Sequence, residues 1–195
     1  MDSHVDLYWI PLGAGARVVR ASGKVFERLA ALGQRRTPCD LYHSALEVVV
    51  PEGRFVVEMT PAVDPAGDGR GMVAEGTVGM RGLGRARLFR YEIRRWRGGV
   101  IPDVSAAVGG PRRLAIDVAV ASHVLDLVPS VPTPVWGRDE LDAGEMWTSN
   151  SVTTWLLASA GIDTGSLRPP GGGRAPGWDA GLVTAARSPV ESRAA

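Results

Sequence analysis

The 195-residue chain contains one cysteine, Cys39. A single thiol excludes an intramolecular disulfide framework and every multi-cysteine zinc or iron–sulfur site, and it points to a reducing compartment. Long apolar runs are missing as well: no window approaches the ~18 uninterrupted apolar residues of a membrane helix. The N-terminal MDSHVDLYWIPLGAG carries no basic leader followed by an apolar stretch. The expectation is a soluble cytoplasmic protein without a membrane span. Nor is there an excess of either charge. Lys plus Arg number 22 against 21 Asp plus Glu, a net +1, so no global field gathers nucleic acid or anionic membrane, and a general nucleic-acid binder is disfavoured. Lys24 is the only lysine among those 22 cations, a bias read as codon usage in a GC-rich genome.

The common signatures of cofactor and metal chemistry are also absent. There is no zinc-ligand cluster, no GxSxG nucleophile elbow and no EF-hand-like acidic loop. The segment PLGAGAR (residues 11–17) lacks both the GK[ST] ending of a P-loop and the dinucleotide glycine spacing. No metal or cofactor is expected. His123 has no second histidine or acidic pair at a ligating spacing, so it reads as a packed or surface residue.

What the chain does have is enough apolar material, 45% against 22% charged, to bury the core of one domain. Residues 5–10 read as a strand ended by Pro11, and Ser22 with Val25, Phe26, Leu29 and Leu32 as a helix closed at Gly33. The β-branched runs 39–50 and 54–60, separated by Pro51 to Gly53, predict a β-hairpin. Residues 61–84 hold so many glycines and prolines that only loop, with one short strand, is expected. Residues 88–97 alternate arginine with apolar residues and read as a half-exposed strand whose arginines are solvated, or else meet an acidic partner or single-stranded nucleic acid. Helical spacing recurs over 117–128, opened by Asp117 and closed before Pro129, and over 150–160, where Val152, Trp155 and Leu156 predict an amphipathic helix. The expected architecture is an α+β domain over 1–162, a small antiparallel sheet packed against helices. A Gly/Pro-rich tail over 163–195 wraps the domain or dangles from it.

Two polar residues stand out. His43 sits inside an apolar strand, and imidazole is the side chain best suited to proton transfer near neutral pH. Ser149 lies at a helix start, where free backbone amides and the helix dipole favour developing negative charge. Each also has an ordinary explanation: a serine there is commonly an N-cap, and a strand histidine a satisfied structural group. Cys39, four residues before His43 on the same strand face, is the other candidate nucleophile, or a small buried hydrophobe.

The order of YHSALEVVV (42–50), FVVEMTP (55–61) and the later WTSNSVTTWLL (147–157) resembles the circularly permuted papain-like superfamily, the NlpC-type and lecithin retinol acyltransferase relatives. There the histidine comes first, on a strand, and the nucleophile later, at a helix start in an N-C-x-x-F motif. The resemblance covers roughly residues 40–160. It implies a general base at His43, a nucleophile at Ser149, a third, orienting group at Glu58 and an oxyanion site in the backbone amides near Asn150 and Ser151. The chain departs from the motif in having Ser149 for cysteine, Thr148 for asparagine and Val152 for phenylalanine. A hydroxyl has a pKa far above that of a thiol, so the thiol mechanism is excluded at this position. Three readings follow: a hydrolase or acyltransferase acting on an amide or ester; a catalytically inactive papain-like module that binds a peptide or acyl group, with Ser149 as a cap; and an interaction protein using the arginine strand.

Overall fold

The structure, a computed structural model, describes residues 2–14, 27–28, 31–33, 35–62 and 71–187. Six strands, β1 (His4–Pro11), β2 (Tyr42–Val50), β3 (Gly53–Pro61), β4 (Met72–Thr77), β5 (Arg90–Arg97) and β6 (Arg112–Ala115), form one sheet in the order β4-β5-β3-β2-β1-β6. Every neighbouring pair is antiparallel. With helices α1 (Val118–Leu127), α2 (Ser149–Ser159) and α3 (Trp178–Arg187), this is an α+β fold. No helix among the described residues is long and apolar enough to cross a membrane.

The period of two that makes residues 42–61 a hairpin also assigns its faces. Leu46, Val48, Val50, Val57 and Met59 point into the main core with Trp155, Leu156 and Leu157 of α2. Ala45 and Val56 point the other way, into a smaller cluster with Ile10 and Ile101. Full burial of such side chains stabilises the fold by about 1.5–3 kcal/mol each. α1 starts where expected: the Asp117 carboxylate accepts hydrogen bonds from the backbone N–H groups of Ala119 and Val120, satisfying two of the orphan donors of the first turn.

Several expectations change in three dimensions. The helix expected over 22–32 lies largely outside the described residues. β6 was not anticipated, because four residues beginning Arg112-Arg113 carry no apolar alternation and are recruited by pairing with β1. The solvated arginine strand is corrected: Glu92 and Arg94 of β5 are buried, and the Arg94 guanidinium binds the Glu92 carboxylate at 2.9 and 3.0 Å. Arg95 donates to the Leu125 carbonyl and Arg90 pairs with Glu75, so the strand spends much of its charge inside the protein. α2 is not amphipathic, since all but one of its eleven residues are buried, between the sheet on one side and α3 on the other. Gly181 permits that second contact, because a Cβ there would lie 2.3 Å from the Ser151 carbonyl oxygen. Residues 163–187 therefore wrap onto the domain rather than dangle, burying Leu167, Trp178 and Ala185, while 188–195 lie outside the described residues.

Candidate active site

The β2–β3 ladder runs from Val50↔Gly53 to Leu46↔Val57 and goes no further. Beyond that point β2 stays paired with β1 down to Tyr42↔Pro11, and β3 stays paired with β5 down to Pro61↔Tyr91. The sheet thus opens at its middle into a fork, three strands to each side. The start of α2 fills part of it. The Asn150 amide donates to the carbonyls of Tyr42 (3.0 Å) and Pro176 (2.9 Å) and accepts from the Ser44 hydroxyl (2.9 Å). Below it, Arg174 forms a parallel bridge with Leu41, and its carbonyl accepts from the Tyr42 amide. Backbone groups that would otherwise face β3 are satisfied by these partners, which is what a split ladder requires.

A cavity of about 470 Å³ occupies the fork. It is bordered by His43, Glu58, Asp103, Arg90 and Ser149 among polar residues, and by Leu12, Met59, Val78, Leu88, Pro102 and Trp136 among apolar ones. Three residues singled out in the sequence, His43, Glu58 and Ser149, therefore meet at one cavity although His43 and Ser44 lie on opposite faces of β2. The fork makes this meeting feasible, because side chains from both faces reach a gap in the sheet.

Ser149 is the first residue of α2, not its cap. The cap is Thr148, whose hydroxyl accepts from the Asn150 N–H at 3.1 Å, and Ser151 closes a capping box by accepting from the Thr148 N–H at 2.9 Å. Among the described residues, no hydrogen bond engages the Ser149 hydroxyl or its backbone N–H. A hydroxyl and an amide donor at the positive end of the helix thus remain available beside the cavity.

The His43 ring makes no hydrogen bond among the described residues, and burial lowers its pKa from the ordinary 6.5. The Asp103 carboxylate opposes that shift, which makes Asp103 the acid whose field reaches the imidazole. It sits after Ile101-Pro102 in a left-handed conformation (φ 56°), a backbone state uncommon for residues other than glycine and enriched at functional sites. Nothing in the local sequence flags it; only the fold brings the 101–103 loop to the cavity. Glu58 lies on the cavity wall with its carboxylate 4.0 Å from the buried Arg94 guanidinium.

Cys39 is not part of this cavity. Its thiol and backbone N–H both face the Glu27 carboxylate, at 3.4 and 3.0 Å, and burial together with that negative charge pushes the thiol pKa up. A raised pKa is the opposite of what a nucleophilic thiolate needs. The Arg36 guanidinium holds the Glu27 carboxyl down at about 2. His123 is exposed on α1. Among the described residues, one trio of metal-ligating type, His4, Asp6 and Glu47, brings its ligand atoms within 4.8 Å of one another. Its carboxylates already pair with arginines, Asp6 with Arg113 at 2.9 and 3.0 Å and Glu47 with Arg54 at 2.7 Å.

Comparison with protein-family models, with curated proteins and with solved structures returns no match.

Proposed function

We propose that the protein is a serine-dependent hydrolase or acyltransferase of permuted papain-like type, acting on an amide or ester at the fork between β2 and β3. The observation that carries this reading is the freedom of Ser149: it borders the cavity with His43, and its hydroxyl makes no hydrogen bond among the described residues while Thr148 and Ser151 do the capping. The Ser149 oxygen attacks the substrate carbonyl carbon, and His43, held neutral by burial, takes the hydroxyl proton. The Ser149 backbone N–H faces the oxyanion that forms. Collapse breaks the C–N or C–O bond, and the imidazolium returns its proton to the leaving amine or alcohol. Water, or an acceptor alcohol or amine, then releases the acyl group by the same steps in reverse. Asp103 stabilises the transient imidazolium, while Glu58, facing Arg94, shapes the wall. Ser149 and His43 are not hydrogen-bonded to each other, and such contacts commonly tighten only when substrate binds.

That missing hydrogen bond favours a second reading, a papain-like module that binds a peptide or acyl group without turning it over. A fluorophosphonate probe separates the two. The enzyme reading expects covalent labelling of the intact protein by mass spectrometry, abolished in Ser149→Ala and reduced at least tenfold in His43→Ala. Labelling that persists in Ser149→Ala removes Ser149 as nucleophile, and no labelling of the wild type leaves the binding module.

A further inference from the structure

Away from the fork, β1 carries a strip of polar side chains. His4, Asp6 and Tyr8 alternate with the core residues Val5, Leu7 and Trp9, so all three point to the face of the sheet opposite the main core. Asp6 stands directly across from Glu47 of β2. Glu47 is four residues along that strand from His43, or about 13 Å of extended chain. The ligand atoms of His4, Asp6 and Glu47 gather within 4.8 Å of one another. Asp6 is buried, whereas His4 and Glu47 are half-buried and open the trio to solvent.

Like charges directly opposite on neighbouring strands repel. Arg113, brought across from Asp6 where the β1–β6 register shifts, binds the Asp6 carboxylate, and Arg54 binds Glu47. Burial, then Glu47 and Asp6, push the Tyr8 phenol pKa up, and the two carboxylates outweigh Arg54 and Arg113 there. The field at the phenol is therefore negative in spite of the arginines. The His4 ring points to what balances it. Its Nδ1 lies 2.7 Å from the Asp2 carbonyl oxygen, which only accepts, so that nitrogen carries the hydrogen. The Nε2 of the neutral ring then presents a lone pair, and it faces Asp6 Oδ2 at 3.6 Å, beyond hydrogen-bond distance. A lone pair facing a carboxylate calls for a cation, and a backbone carbonyl on the other ring nitrogen is the partner that orients a metal-binding imidazole. The arginines do not spend the carboxylates. Each oxygen has a second lone pair, among the described residues Glu47 engages only Oε2, and ligating carboxylates are themselves hydrogen-bonded by outer groups.

We propose that His4 Nε2, Asp6 and Glu47 bind a divalent transition-metal ion of the zinc class, which clamps β1 to β2 while Arg113 and Arg54 orient the carboxylates. One imidazole with two carboxylates suits zinc, which takes nitrogen and oxygen, better than magnesium or calcium, which take oxygen. Glu47 lies on the paired side of the hairpin, so the ion is a structural clamp independent of Ser149. Calorimetric titration of zinc chloride into the full chain at about pH 7.5, where imidazole is mostly neutral, is expected to show a single site. His4→Ala and Glu47→Gln each weaken binding at least tenfold. Zinc raises the thermal midpoint of the wild type and not that of His4→Ala, whereas Cys39→Ser and Ser149→Ala keep both responses. In nitrogen-15 spectra of the wild-type histidines, zinc moves the His4 ring signals and leaves those of His43 and His123 in place, a readout that needs no variant to fold. Absence of zinc binding overturns the proposal, as does full binding in His4→Ala, and the trio is then an ion-pair network closed by a proton on His4. Magnesium competing as well as zinc overturns it too, since the imidazole is then not a ligand.

Discussion

At its turn end the β2–β3 hairpin is a continuous ladder from Leu46↔Val57 to Val50↔Gly53, with Leu46, Val48, Val56 and Val57 all buried. At the other end the same strands part, and the residues there are His43, Ser44, Glu58 and Thr60. One end holds itself together by backbone pairing and apolar burial; the other depends on Asn150, Arg174 and the start of α2 to satisfy what the missing ladder leaves open. A site built in this way is rigid only as far as its inserted partners hold, so stability and function are separable along a single hairpin.

The largest effect on stability is expected at the paired end. Leu46→Ala removes a fully buried side chain and costs about 2–5 kcal/mol by lost transfer energy and the cavity left behind. Urea denaturation measures it, and the fraction that stays folded keeps wild-type fluorophosphonate labelling. Loss of labelling out of proportion to unfolding would erase the distinction between the two ends.

Asn150→Ala acts at the fork. It strips buried partners from the Tyr42 carbonyl and the Ser44 hydroxyl, while the part-buried Pro176 carbonyl keeps the Thr148 hydroxyl at 2.7 Å. The expected cost is about 2–4 kcal/mol, because unsatisfied buried groups lose their full desolvation energy. It also loosens Ser149 relative to His43. Labelling of the still-folded protein falls at least tenfold, where Leu46→Ala leaves it unchanged, and retained labelling would mean that Asn150 does not set the geometry of the fork.

Capping sharpens the comparison on a smaller scale. Thr148→Ala loses the hydroxyl that accepts from the Asn150 N–H and costs about 1 kcal/mol. Ser149 is buried but its hydroxyl makes no hydrogen bond among the described residues, so Ser149→Ala leaves no partner unsatisfied and is expected to change stability by less than about 0.5 kcal/mol. Thermal unfolding of the two variants side by side checks it. A larger loss from Ser149→Ala than from Thr148→Ala would return Ser149 to a structural role.

Local chemistry made much of the fold legible in the sequence. The hairpin, the strand from His4, the helix capped by Asp117 and the helix from Ser149 all follow from β-branched runs, apolar spacing and a polar opening residue. What stayed hidden is whatever only tertiary contact creates. β6 is a strand because β1 offers it an edge. The charged face of β5 is buried because Glu92 and Glu58 meet Arg94 there, although its arginines look solvated when read along the chain. His43 and Ser149 could each be picked out, but their meeting depends on a ladder that stops at Leu46. The periodicity of the hairpin continues past that point. Asp103 had no signal at all, since a lone aspartate after proline reads as loop.

His43 and Asp103 give the smallest and most specific test of the open end. Burial depresses the His43 pKa in the folded protein below the ordinary 6.5, so the unfolded chain takes up a proton first as the medium is acidified. The neutral ring's contribution is fully present above 6.5, declines as pH falls below that value, and levels off once the folded-state pKa is passed. Urea midpoints measured from about pH 8 to about pH 5 should show this decline, and His43→Gln should flatten it. Asp103 works in the opposite direction, its carboxylate raising the His43 pKa. Asp103→Asn therefore moves the ring titration, followed by NMR, to lower pH, and the acid limb of labelling moves with it, because a less basic imidazole stays neutral further into acid. Glu58→Gln leaves the ring titration where it was. If Glu58→Gln moves it and Asp103→Asn does not, the orienting acid is the one on β3, and the fork is organised by the sheet rather than by the loop that closes over it.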